Sequence, residues 1–235
     1  MKRYHGKVNV LHLIDGAKQA EGLTVIIDVF RAFSLENYLY DMGVELIRPI
    51  GSVEEAFKLK ETTPNSLLFG ERNGIKVEGF DFGNSPSSVN ADIVKGKTIL
   101  HTTSAGTQGV VNAKNATRIL AGSLVNARAI AEYIIETQPE VVSLVCMGWN
   151  AEELAAEDEL CAEYIKSILD GEDLPNIDER VADLQFHGGE HFFNPDTQEV
   201  FPEPDFWMCI KYDRFPYILE IYPQSGREDP DAQTR

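Results

Sequence analysis

With 235 residues, 43% of them hydrophobic and 25% charged, the chain can bury a substantial core and has the make-up of an ordinary globular protein. A formal net charge of −17 excludes a nucleic-acid backbone as partner and disfavours an anionic membrane surface, while leaving room for a small anion held by local arginines and backbone N–H groups. No apolar run is long enough to span a bilayer, no apolar stretch follows the basic N-terminus as in a secretory leader, and the scattered Cys146, Cys161 and Cys209 read as reduced thiols, so a cytoplasmic protein is expected.

Residues 7–13 alternate and end apolar, a first strand, and 15–22 form a polar connection or short helix. The run 23–29 is apolar and β-branched and delivers Asp28 and Arg31 where it ends. Ser34 is then expected as the N-cap of a helix whose Leu35, Leu39 and Met42 share a face and which stops at Gly43. A strand over 44–50 precedes Ser52-Val53-Glu54-Glu55, a capping-box pattern opening a helix to about 61. A short strand, 66–69, halts at Gly70-Glu71-Arg72, and 72–86 is a long excursion rich in glycine, of the kind that carries function. Ser85 and Pro86 are expected to open a helix reaching 94.

Strand 97–100 runs into Thr102-Thr103-Ser104-Ala105-Gly106-Thr107 and a helix. Strand 118–121 and helix 125–137 follow, then a near-continuous apolar strand over 141–147, of the central parallel type, and a long helix over 152–169. Beyond these, 176–182 reads as a short helix, 186–205 as irregular, and 206–210 and 217–222 as closing elements. The alternation predicts a layered α/β/α fold with a mostly parallel or mixed sheet and an irregular C-terminal segment. It forms a single α/β domain over 1–223, or two closely packed lobes, followed by a polar and mobile tail over 224–235.

Chemistry is expected at strand ends, because ligands of open α/β sheets bind beyond the carboxyl edge. Asp28 and Arg31 either pair to cap a turn or face such a site. The turn with Thr102, Thr103, Ser104, Gly106 and Thr107 offers hydroxyls, close backbone approach and a helix N-terminus, which is either a phosphate cradle or a plain N-cap. Arg72 offers a planar fork for an anion, with Asn84 and Ser85 as further donors, or is a solvated loop arginine. Glu157 and Asp158 open a helix, where they favour its dipole or hold Mg²⁺.

Other motif matches fail on context. A phospho-aspartate motif would need a second Asp where Phe30 stands. Gly96-Lys97-Thr98 begins a strand instead of following one, so it is no P-loop, and Cys146 lacks the arginine of a cysteine phosphatase, Glu152 standing there. His187-Gly188-Gly189-Glu190-His191 matches a zinc-peptidase spacing, but two glycines oppose the helix that spacing requires.

Taken together, Asp28-Val29-Phe30-Arg31-Ala32, Gly70-Glu71-Arg72, the 79–86 segment Gly-Phe-Asp-Phe-Gly-Asn-Ser-Pro, the 102–107 turn, the 121–127 segment and Glu157-Asp158-Glu159-Leu160 resemble the 2-phosphosulfolactate phosphatase family in order and approximate spacing. Asp205-Phe206-Trp207-Met208-Cys209 and Asp213 resemble its C-terminal segment, so the likeness covers nearly the whole chain. It implies a Mg²⁺-dependent phosphatase that turns 2-phosphosulfolactate into sulfolactate and phosphate on the route to coenzyme M. The alternative is a non-catalytic relative that binds a small anion. The implied positions are Asp28, Arg31 and Glu71 as catalytic groups; Arg72, Asn84, Ser85, Thr102, Thr103, Ser104, Gly106 and Thr107 for the substrate; and Asp28, Glu157 and Asp158 for Mg²⁺. The expected partner is a small phosphorylated acid, and a homo-oligomer is compatible with the sequence. Ala105 stands where the family turn carries Asn, Phe33 and Leu35 where polar residues are usual, and Glu163 lies on the helix that Glu157 and Asp158 open, where the family usually has a small residue; these departures bear on which acid fits.

Overall fold

A computed structural model describes residues 3–221 together with the backbone of Gln233–Thr234. The expected polar tail otherwise lies outside the described residues. The strands are β1 (Lys7–His12), β2 (Gly22–Ile27), β3 (Leu46–Pro49), β4 (Ser66–Arg72), β5 (Ile75–Lys76), β6 (Thr98–Thr102), β7 (Ala116–Gly122), β8 (Val141–Cys146), β9 (Leu219–Ile221) and β10 (Gln233–Thr234). The α-helices are α1 (Leu13–Gln19), α2 (Ala32–Asp41), α3 (Val53–Thr62), α4 (Ala91–Val94), α5 (Gly106–Asn112), α6 (Ala127–Thr137), α7 (Ala156–Asp170), α8 (Ile177–Asp183) and α9 (Glu203–Cys209).

The strands form two sheets. One runs β1-β8-β2-β7-β9-β10, parallel from β1 to β7 and antiparallel at β9 and β10. The other runs β3-β6-β4-β5, with only β5 antiparallel. Helices cover both faces, so the architecture is layered α/β/α with mixed sheets. Period-two alternation explains the layering: Val25 and Ile27 face α6 and α7, while Ile26 turns to the α1 and α5 side. Helix α2 lies between the sheets, with Phe33 buried in the first core and Leu35 and Leu39 in the second.

Three local expectations are corrected. Ser34 is not an N-cap: α2 begins two residues earlier because Asp28 Oδ1 accepts from Ala32 N at 3.2 Å, and the buried Ser34 Oγ bonds Val29 O at 2.7 Å and Ser123 Oγ at 2.6 Å. Ser85 does not open a helix to 94, because its hydroxyl is drawn to Asp205; Pro86–Ser88 is one 3₁₀ turn, and α4 has its own cap in Asn90. Helix α7 starts at Ala156, after Asn150 and Ala151 turn the chain in the left-handed region and Trp149 pairs with Glu153. Ser52 is the N-cap of α3 as expected, its hydroxyl accepting from Glu55 N at 3.1 Å, the forward half of the capping box.

Candidate active site

The carboxyl ends of β2 and β8 from one sheet meet those of β4 and β6 from the other, and a cleft opens between them. It is lined by Asp28, Arg31, Glu71, Asn84, Ser104 and Gly148, with Phe30, Trp149 and Phe201 as an aromatic wall.

Asp28 follows β2 directly, and its N–H continues the ladder to Gly122 O at 3.1 Å. Its Oδ2 accepts from Gly106 N at 2.7 Å. Only glycine permits that approach, since a Cβ at 106 would lie 2.8 Å from the same oxygen. Glu71, at the end of β4, accepts from Ser104 N and Gly74 N, each at 2.6 Å, and from Ser104 Oγ at 3.1 Å. The hydroxyl-rich turn therefore does hold anions, but they are the chain's own carboxylates. Its threonines face inward: Thr103 and Thr107 exchange backbone-to-hydroxyl bonds of 2.8 and 3.0 Å, and Thr102 Oγ1 accepts from Arg72 at 3.0 Å.

Arg31 lines the cleft, yet its donors are engaged. Nη1 gives bonds to Asp205 Oδ2 at 2.9 Å and Val200 O at 2.8 Å, Nη2 to Gly74 O at 3.1 Å, and the guanidinium lies 4.8 Å from the Phe201 ring centroid. Ser85 serves Asp205 as well, through a 2.9 Å bond. Arg72 faces an adjoining hollow with Gln108 and Glu152, Ser104 and Asn150 being shared between the two. Asn84 reaches the cleft with its Oδ1 held by His101 Nε2 at 3.0 Å.

Glu157 and Asp158 lie behind Asp28. Asp158 accepts from Val29 N at 2.9 Å and Gly148 N at 2.8 Å, tying β2 to β8. Glu157 Oε2 is buried with no partner. Burial, then Glu71, raises Asp28 to about 6, against the pull of Gly106 and Ala32 N–H. Burial, then Asp28 and Glu190, raises Glu157 to about 8. Burial, then Glu157 and Asp28, raises Asp158 well above the usual carboxylate range. Three carboxylates desolvated together are short of a positive charge.

These groups offer the hard oxygens that Mg²⁺ takes, and the orphaned Glu157 oxygen has an open lone pair. They do not form a closed ligand shell: among the described residues, the trio whose ligand atoms lie within 4.8 Å of one another is His12, Cys146 and Glu159. That suits a cation that keeps waters and takes one or two carboxylates directly. The His12 trio is a contact of 2.9 Å between His12 Nε2 and Glu159 beside a thiol that burial pushes far up and that donates to Asp158 O. His187 follows one 3₁₀ turn and His191 lies on the next; His187 is exposed, and burial with nearby Arg31 lowers His191 to about 4.

A stability prediction follows. Asp28 and Glu157 have folded-state pKa values of about 6 and about 8, above unfolded values near 4. Their contribution is full below about pH 4 and is lost as pH rises through 6 and then 8. The melting temperature of metal-free protein should fall over that window. Glu157→Gln should raise it at pH 8.5 by roughly 3–6 °C, about 1–2 kcal/mol. A lower melting temperature for this variant in calorimetry would contradict the reading.

Sequence reasoning missed Glu36, His101 and the role of Asp205. His101 is a lone histidine at the end of a buried strand and Glu36 a lone acid in an otherwise uncharged stretch of α2; both were visible as anomalies of pattern. No helix among the described residues is long and apolar enough to cross a membrane.

Fold and site define a layered α/β protein with a carboxylate-lined cleft at the carboxyl ends of its strands. The chain belongs to the 2-phosphosulpholactate phosphatase family, which it matches over residues 9–202. A relative from Clostridium acetobutylicum, named "Probable 2-phosphosulfolactate phosphatase", is 42% identical over 142 residues; that segment spans 60% of this chain and 60% of the relative, under two thirds of its length. Proteins of the same name from Caldicellulosiruptor saccharolyticus (35% identical, 86% of this chain and 89% of the relative) and Bacillus subtilis (27% identical, 85% and 86%) match over most of their lengths.

Proposed function

We propose that the chain hydrolyses the phosphate ester of a small acid with the help of Mg²⁺, and that the acid is the one its relatives are named for, 2-phosphosulfolactate, giving sulfolactate and inorganic phosphate. The observation that carries this is the pair of hydrogen-bonded carboxylates, Asp28 and Glu71, facing one cleft with a third, orphaned carboxylate behind them. A dianionic ester cannot enter such a cleft unaided, because the one arginine lining it is already bonded to Asp205 and two carbonyls. Asp28, Glu157 and Asp158 would hold the cation, one or two directly and the rest through water. When bound, Mg²⁺ supplies charge stabilisation for the phosphoryl oxygens.

The chain's own residues then have distinct tasks. Asn84 donates to a phosphoryl oxygen from the far wall. Glu71, fixed by three donors, orients the attacking water and accepts its proton. Arg31 sets the position of the cleft floor and lends its charge through space. Trp149 and Phe201 exclude water from the ester. In balance, water adds to phosphorus as Glu71 takes its proton, the ester's O–P bond breaks, and the leaving oxygen takes up a proton from solvent and departs as the acid's free hydroxyl, Glu71 returning its own proton to solvent. A purely anion-binding protein would spend the turn's N–H groups on its ligand, whereas here Asp28 and Glu71 take them.

Phosphate release should be measured for 2-phosphosulfolactate and a panel of phospho-carboxylic acids. Release from at least one small phosphorylated acid, dependent on Mg²⁺ and suppressed by EDTA, is expected. No release from any of them would overturn the reading.

A further inference from the structure

The buried core behind the cleft holds a polar chain that ends on Asn84 and whose other two members, Glu36 and His101, the proposed reaction does not use directly. Glu36 on α2, His101 on β6 and Asn84 in the long excursion are each at most 4% exposed. Glu36 Oε1 lies 2.7 Å from His101 Nδ1, and His101 Nε2 lies 3.0 Å from Asn84 Oδ1. A carboxyl group and an imidazole hidden beside apolar Leu35, Leu39, Phe69 and Ile99 are costly unless every polar atom is used. Here the bonds run in one line from the core to the cleft wall.

With the amide oxygen of Asn84 toward the ring, as it stands here, His101 Nε2 is the donor and Asn84 Oδ1 the acceptor. One proton shared between Glu36 and Nδ1 is compatible with this wherever it resides. With Oδ1 held inward, the Asn84 NH₂ points outward, and no protein group among the described residues takes it. The opposite flip, with the NH₂ on an unprotonated Nε2 and Nδ1–H on Glu36, would turn the amide oxygen toward Asp28 and Glu71, two acceptors across the cleft, which is what disfavours it.

We propose that Glu36 and His101 are positioning residues that lock the Asn84 side chain with its NH₂ toward the cleft, as a rigid donor to an anionic oxygen of the ligand. The donor's role rests on the phosphatase reading above; the lock itself does not.

Two measurements test it. In protein labelled with ¹⁵N-histidine, His101 Nε2 should carry a directly bonded, slowly exchanging proton; an unprotonated Nε2 would overturn the lock whether or not the protein turns anything over. The second is a double-mutant cycle on KM and kcat. His101→Leu should raise KM roughly 10- to 100-fold, the range for a lost hydrogen bond to a charged group. His101→Gln, which keeps a donor in the Nε2 position, should recover most of that loss. In an Asn84→Ala background His101→Leu should change KM by no more than about 2-fold, because its effect passes through Asn84. A full additional loss in that background, or His101→Gln as impaired as His101→Leu, would assign the pair to structure alone and refute the proposal. If the wild type releases no phosphate, the same variants are compared for binding of inorganic phosphate. Equal affinity in all of them would refute the donor role, and the labelling result still decides the lock.

Discussion

Asp205→Asn is expected to cost about 3–5 kcal/mol of folding stability, the penalty for stranding one partner of a buried ion pair. Asp205 is fully buried; it binds Arg31 Nη1 at 2.9 Å through Oδ2, and Ser85 Oγ and Ser87 N at 2.9 Å each through Oδ1. Asparagine keeps one acceptor and sets an NH₂ against Arg31 Nη1 or Ser87 N, which only donate. Arg31 would then be left in an apolar setting between Phe201 and Phe192 with two carbonyls for company. Because this one carboxylate joins α9 to the 85–87 turn and to Arg31 at the start of α2, the loss should spread to the cleft. Urea unfolding should show a lower midpoint, and phosphate release should fall with it at temperatures where the variant is still folded. A midpoint within about 1 kcal/mol of wild type would mean that the pair contributes little beyond its own desolvation.

Asp28→Asn is expected to lower phosphate release by roughly 10³-fold, the scale for losing a principal electrostatic group of a preorganised site. The same change should cost little stability in metal-free protein near pH 8. It removes a buried charge whose folded-state pKa of about 6 already makes ionisation unfavourable, while giving up one of two backbone bonds, to Gly106 N or Ala32 N. Activity and stability thus separate, which distinguishes this residue from Asp205. A variant that retained more than a tenth of wild-type turnover would remove Asp28 from the chemistry.

Much of this was legible in the sequence because local rules decide it. Alternation of β-branched strands with amphipathic helices produced the layered α/β fold, and the two-residue period of Val25, Ile26 and Ile27 divided its faces. The ends of β2, β4 and β6 drew attention to Asp28, Glu71 and the 102–107 turn, and the structure brings all three to one cleft. What was hidden depends on distant partners. Ser34 has the form of an N-cap, but its hydroxyl is claimed by Ser123 from another strand's end. Ser85 caps nothing because Asp205 takes its hydroxyl. The turn has the chemistry of a phosphate cradle, yet its N–H groups hold carboxylates from β2 and β4, which no local reading could foresee. That strands divide between two sheets was equally hidden, since α2 serves both cores, with Phe33 and Leu35 only two positions apart on opposite faces.

The claim on which the rest depends is that this carboxylate edge takes a divalent cation. Mn²⁺ binding to the metal-free protein, followed by electron paramagnetic resonance and located by anomalous scattering in crystals, tests it directly. One equivalent beside Asp28 and Glu157, weakened by Glu157→Gln and competed by Mg²⁺, is the result predicted. Mn²⁺ absent from this edge, or bound instead at His12 and Glu159, with phosphate release undiminished in EDTA, would contradict it.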